Sequence, residues 1–461
     1  MRPEPFPSGS ASSSMDASPS WPLGGEALPV RGRGIDRALG WLGNQAERGY
    51  FLFVLLIMSG GGFKPLGDPT AAAAGENSLT DSIFAPLYGI LALLIVLRLK
   101  AVTRAVLAHP WTLVLLGVVS ASMFWSQAPD MTVRHSIAIL ATSAFGWCLL
   151  ARRGPRETLA LMMIVLTFTA VLSLYWGVMD PAGAVLPSEQ PAWRGVFDTK
   201  NVLARAMVLN AVLCMLLLIG QVRGRWPLWI AIALSVAALG MSLSATGLLV
   251  LVTLAALTRF SASLRLRTTL LIPLIVVCIL LLIGGVFWLH SHLTQLASDL
   301  GKDTTMTGRT ELWAVALLFI QRHPWLGYGF GGFWRGWIGD SGLYWAAIGW
   351  KTPHSHNGFI DLTLDLGLVG LTATVIALGT AFIAALKRAR LARTTETVAP
   401  LILLSFVVLY NLTESSFLKH NTMLWVVYIV GASMACGGAD SYPAGRRSAN
   451  PEGVSEPGWG A

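Results

Sequence analysis

Arg152-Arg-Gly-Pro-Arg-Glu-Thr-Leu-Ala-Leu-Met-Met-Ile-Val-Leu-Thr-Phe-Thr-Ala-Val-Leu-Ser-Leu-Tyr-Trp-Gly-Val178 decides the fold class. A short basic segment leads into about twenty apolar residues, the length that crosses a bilayer as a helix. The pattern recurs along the chain. Hydrophobic residues make up 54%, charged residues 12%, and mean hydropathy is +0.62. Soluble domains carry roughly 25% charge, so the expectation is an all-α, polytopic membrane helix bundle.

Apolar runs place about twelve spans, near 47–63, 83–98, 110–126, 136–151, 157–178, 201–220, 226–242, 245–260, 268–290, 357–386, 398–415 and 420–436. Cations cluster in every second loop: Arg98, Lys100 and Arg104; Arg152, Arg153 and Arg156; Arg223 and Arg225; Arg259, Arg265 and Arg267; Lys387, Arg388, Arg390 and Arg393. Cytoplasmic loops concentrate Lys and Arg, so both termini and these loops are expected inside. That distribution accounts for the net charge of +9 without nucleic acid as a partner. The Pro/Ser/Gly-rich residues 1–45 and the polar residues 437–461 are expected to be disordered cytoplasmic tails around a membrane domain over 46–436. Cys148, Cys214, Cys278 and Cys436 lie scattered in apolar stretches, a spacing that suits neither disulfides nor zinc.

Two outer loops, 179–200 and 291–356, are long. They put Arg194, Lys200, Arg309, Arg322, Arg335 and Lys351 on the outer side, where topology does not require them. In the longer loop, Thr307 can cap an apolar helix running from Glu311 to Ile320, which would lie on the membrane face. Arg309 then sits in the first turn, where free N–H groups, the helix dipole and a planar guanidinium suit a phosphate. The alternative is an interfacial arginine reaching lipid headgroups. The following Pro324-Trp-Leu-Gly-Tyr-Gly-Phe-Gly-Gly-Phe-Trp334 offers tight turns with aromatics, for sugar stacking or an interfacial belt. His354, His356 and Asn357 open the tenth span. Asn357 or Ser355 can cap it, leaving a histidine at its mouth to take or give a proton. Asp361 and Asp365 share a face with Asn357, and with Glu414 and Arg205 they are costly in a membrane unless they line a polar cavity. Arg194 and Lys200, before the sixth span, are either interfacial anchors or anion contacts. The His and acid spacing matches no zinc motif, so no metal or other cofactor is expected.

Three of these places carry a resemblance. His356-Asn357 with Gly367 and Gly370, Gly308-Arg309 with Trp313, and Arg194-Gly195-Val-Phe197 with Asn201 resemble the signatures of the O-antigen ligase and O-antigen polymerase superfamily, bacterial membrane glycosyltransferases. The likeness runs from about residue 80 to 436 and includes the large periplasmic loop between the ninth and tenth spans. It implies inner-membrane residence, a site facing the periplasm, and sugars carried on undecaprenyl diphosphate, without metal or nucleotide sugar. It also implies that Arg309 and Arg194 contact the diphosphate and that His356 serves the acceptor hydroxyl as base or orienting group. Lys200, Asn201, Arg205, His354, Asn357, Asp361 and Glu414 are candidates for binding the glycan donor and acceptor. Trp193-Arg-Gly-Val-Phe197 and Asn411-Leu-Thr-Glu414 resemble exopolysaccharide polymerases of the succinoglycan type most. Polymerisation is therefore favoured, with ligation onto lipid A core and a lipid-linked glycan flippase as alternatives. Chain-length and export proteins would be further partners.

Overall fold

The computed structural model describes residues 32–61, 78–180, 185–186, 192–219, 224–261 and 309–437. The chain divides into Met1–Gly49 and Tyr50–Ala461, and the site belongs to the second unit. A helix stands at every expected span except 268–290, which lies outside the described residues, as do 291–308 with Thr307 and Gly308. Pro129–Met179, Lys200–Ile219 and Gly358–Leu391 are each long and apolar enough to cross a membrane. Leu99–Leu107 and Pro110–Phe124 meet that test as a pair bent by 88°. The protein is a helical membrane protein. Apolar side chains on the outside, such as Ile137, Phe168, Val252, Val375 and Ile383, form the surface that a bilayer would cover.

Two expectations need correction. The first helix, Gly32–Met58, starts inside the stretch read as a disordered tail. The basic segment after the second span is itself a helix, Leu99–Leu107, which buries Val102 and Ala105. Spans four and five lie within Pro129–Met179 as two helices that meet at a kink at Gly154 (φ 72°, ψ 169°), where the sequence places the basic break between them. Pro155 has no N–H to continue the ladder, and glycine alone takes that φ without strain.

Polar bonds join the helices inside the apolar core. Asn210 donates to Thr167 at 3.1 Å and to Ser235 at 2.9 Å. The Trp147 and Trp425 indoles donate to Ser433 and Ser143. With lipid around the bundle, such bonds and close packing hold spans together.

Residues 309–356 have their own small core, in which Leu312, Ala316, Phe319, Tyr328, Phe333 and Tyr344 pack with Leu364 of the Gly358–Leu391 helix. Tyr328, Phe330 and Phe333 are therefore interior rather than a sugar platform or a belt, while Trp325 of the same run is exposed. The glycine-rich run has a backbone task. Gly358–Leu391 is interrupted at Gly367 (φ 62°), which frees carbonyls before the break and N–H groups after it. Tyr328 N donates to Leu364 O at 2.9 Å and Gly329 N to Asp365 O at 2.8 Å. In return Leu368 N donates to Pro324 O at 2.8 Å and Val369 N to Trp325 O at 3.1 Å. Irregular backbone at membrane depth survives where protein satisfies it in this way. The exchange also fixes the segment that carries the site.

Candidate active site

The turn before Gly358–Leu391 is held from four directions. Asn357 caps the helix, its Oδ1 accepting from Phe359 N at 3.0 Å and Ile360 N at 3.3 Å. Asp361 Oδ1 accepts from Ser355 N at 3.0 Å and from the Trp334 indole at 3.1 Å. The Trp313 indole donates to Ser355 O at 2.9 Å. His356 N donates to His354 Nδ1 at 3.1 Å. Held in this way, His356 adopts φ 55°. A non-glycine residue in the left-handed region costs about 1–3 kcal/mol, and such strain tends to cluster at functional sites.

The His356 ring projects toward Glu414, with Nδ1 3.2 Å from Oε2. The other carboxylate oxygen, Oε1, accepts from Asn201 Nδ2 at 2.7 Å and pairs with an Arg309 nitrogen at 3.5 Å. Glu414 is thus the hub at which three separate sequence signatures meet. Arg309 and Trp313 stand one turn apart on the Arg309–Arg322 helix, so one reaches Glu414 and the other the histidine turn. Glu414 is only 12% exposed, and His356 and Arg309 each 24%. Arg205, one turn along the helix from Asn201, has Glu414 and Tyr410 as electrostatic neighbours.

Burial alone would raise the Glu414 carboxyl. The hydrogen bond from His356, with the neighbouring imidazoles and the Arg309 guanidinium, outweighs that and holds it below the ordinary carboxylate range. An ionised Glu414 accepts only, so the proton between the two side chains sits on His356 Nδ1. Nε2 has no hydrogen-bond partner among the described residues. Burial first, then the charges of His356 and Lys419, lowers His354 from 6.5 to about 4 against the opposing pull of Asp361 and Glu414. It is neutral at physiological pH.

Asn411 shapes the loop that carries Glu414. Its Oδ1 accepts from Phe417 N at 2.7 Å and Ser416 N at 3.0 Å, and its Nδ2 donates to Val407 O. A Cβ on Gly358 would strike that side chain, so the histidine helix and the glutamate loop approach closely only through a glycine.

Several expected binding residues have other work. Asn357 is a cap. Asp361 is buried, 6% exposed, and holds the histidine turn rather than lining an open cavity. Arg194 and Lys200 lie on the turn and first helical residue ahead of Asn201. Gly195 takes φ 56°, and a side chain there would meet Ser173. Sequence reasoning missed Lys419, an exposed cation whose charge acts on His354, His420 and Asp365.

His354, His356 and Glu414 can each offer one ligand atom within 4.8 Å of the others, the only such group among the described residues. Both Glu414 oxygens are already engaged with His356 Nδ1, Asn201 and Arg309, whose positive charge opposes a second cation.

Residues 230–375 match the O-antigen ligase family, Wzy_C. That stretch contains Arg309, Trp313 and His356. The chain is also similar to the exopolysaccharide production protein ExoQ of Rhizobium meliloti (strain 1021), at 26% identity over 321 residues, 65% of this chain and 71% of that protein. The resemblance to the O-antigen ligase and polymerase superfamily is borne out. That likeness supports a ligase- or polymerase-type function. The 321 aligned residues exceed the 146 of the family domain, so the similarity to ExoQ reaches beyond that domain.

Proposed function

We propose that the protein polymerises lipid-linked oligosaccharide units into exopolysaccharide at the periplasmic face of the bacterial inner membrane. The observation that carries this reading is the junction at Glu414, where a histidine with a free Nε2 stands beside an arginine. The acceptor hydroxyl oxygen attacks the anomeric carbon of the donor sugar. The bond from that carbon to the diphosphate oxygen breaks, and the hydroxyl proton passes to His356 Nε2. Negative charge grows on the departing diphosphate, and Arg309 meets it, with Arg194 as a second contact. A preorganised cation acts most strongly where charge develops in the transition state.

Glu414 does two things in this scheme. It fixes the His356 tautomer and stabilises the imidazolium that forms. It also holds Arg309 through a long, exchangeable contact until phosphate competes for the guanidinium. No metal is needed, since the activated bond is already in the donor. The name of the relative ExoQ supports exopolysaccharide over ligation onto lipid A core.

The test is His356→Ala and Arg309→Ala in cells lacking the chromosomal copy. Both proteins insert in the membrane at wild-type level. Transfer falls on the order of 10²–10⁴-fold for the histidine and 10²–10³-fold for the arginine. Wild-type activity in both variants sinks the assignment.

A further inference from the structure

A second site stands at the far end of the same helices. Asn201, at one end of the Lys200–Ile219 helix, touches Glu414, while Leu218 at the other end borders a cavity of about 580 Å³. Seventeen residues at 1.5 Å each separate them by roughly 26 Å, close to the ~30 Å of a bilayer's hydrocarbon core. The Thr395–Asn411 helix gives the same answer, with Glu414 beyond its end and Arg393 just before its start.

Arg225, Arg259 and Arg393 converge on this cavity from three separate elements, with Leu218, Trp229 and Ala255 among its apolar walls. No acid lines it. None of the three guanidinium groups makes an ion pair or side-chain hydrogen bond among the described residues. A cytoplasmic charge bias accounts for arginines in loops but not for three uncompensated ones around one half-apolar cavity. Like charges brought together this way repel unless an anion joins them.

We propose that this cavity binds the phosphate headgroup of an acidic phospholipid, with the acyl chains along its apolar wall. Arginine suits phosphate because its planar fork donates two parallel hydrogen bonds to it. Basic pockets between membrane helices on the cytoplasmic side hold anionic lipid headgroups by the same chemistry. The site is separate from the Glu414 cluster, and its occupancy does not depend on the reaction proposed there.

Native mass spectrometry of the purified full chain with cardiolipin, phosphatidylglycerol and phosphatidylcholine tests it. The wild-type protein should retain either acidic lipid at least tenfold better than phosphatidylcholine. The triple variant Arg225→Gln, Arg259→Gln, Arg393→Gln should lose that preference, and the corresponding triple Lys variant should keep most of it. A control variant, Arg98→Gln, Lys100→Gln, Arg104→Gln, should behave as wild type. Three results overturn the proposal: no preference in the wild type, undiminished preference in the Gln triple, or equal loss in the control. Stabilisation by inorganic phosphate without lipid retention would do the same, by pointing to a free anion.

Discussion

Glu414 joins residues that lie far apart in the chain, and its contacts make opposed demands on a substitution. Glu414→Gln keeps the shape but removes the charge that orients His356 and pairs with Arg309. The account expects kcat to fall on the order of 10²-fold or more while KM changes little. A rise in KM with kcat unchanged would make Glu414 a substrate contact instead. Treatment with EDTA should leave transfer intact, because both Glu414 oxygens are already held by His356, Asn201 and Arg309, and the guanidinium charge opposes a cation. Loss of activity on chelation, restored by a divalent cation, would contradict this.

Two buried histidines add a pH signature. Burial, aided by His135 and Lys419, lowers His420 from 6.5 to about 3, and His354 falls to about 4. The unfolded chain takes up a proton at each near pH 6.5, whereas the folded chain does so only near those lowered values. Stability is therefore full above pH 6.5 and declines as pH falls toward 4, by at most about 2 kcal/mol per histidine at pH 5. The thermal midpoint in detergent should drop between pH 7 and 5, and drop less in a His354→Gln, His420→Gln protein. An equal drop in that variant would refute the assignment.

At the scale of elements, the broken helix Gly358–Leu391 matters most. Its positive φ at Gly367 and the backbone exchange with Pro324–Gly329 seat the Arg309 segment against the histidine turn. A Cβ at Gly367 would press on the Trp325 carbonyl and Leu326 N. Gly367→Ala should cost more than about 2 kcal/mol and reduce transfer although it touches no substrate. A midpoint and activity like wild type would show that the break is incidental. Asn357→Ala removes a cap worth about 1 kcal/mol.

Much of this architecture was readable in advance. Apolar runs located the helices because a membrane span must be long and apolar, and Asn357 announced a cap by its place before one. The broken helix was not readable, because Gly367 looks like any small residue on an apolar face until the opposing backbone is seen. Nor was the hub. Glu414 followed a span and looked like one polar residue among several, and only the fold brings it to Asn201, Arg309 and His356. Asp361 misled for the opposite reason: a carboxylate in a membrane helix suggests a cavity, yet this one is enclosed by Trp334 and the Ser355 backbone.

For the whole molecule, two chemically different ends are joined by helices of bilayer length. One end gathers a histidine, a glutamate and arginine around a protected junction, and the other presents three arginines to an apolar cavity. Such polarity suits an enzyme whose substrate arrives on a lipid and whose product leaves on one side only.

The most direct test of the central claim is the profile of undecaprenyl-linked glycans and surface polysaccharide in cells lacking this protein. The account predicts single repeat units accumulating on the lipid carrier at the outer face, without long polymer. Long polymer still on its carrier above uncapped lipid A core would mean ligation instead, and single units confined to the cytoplasmic face would contradict the enzyme reading altogether.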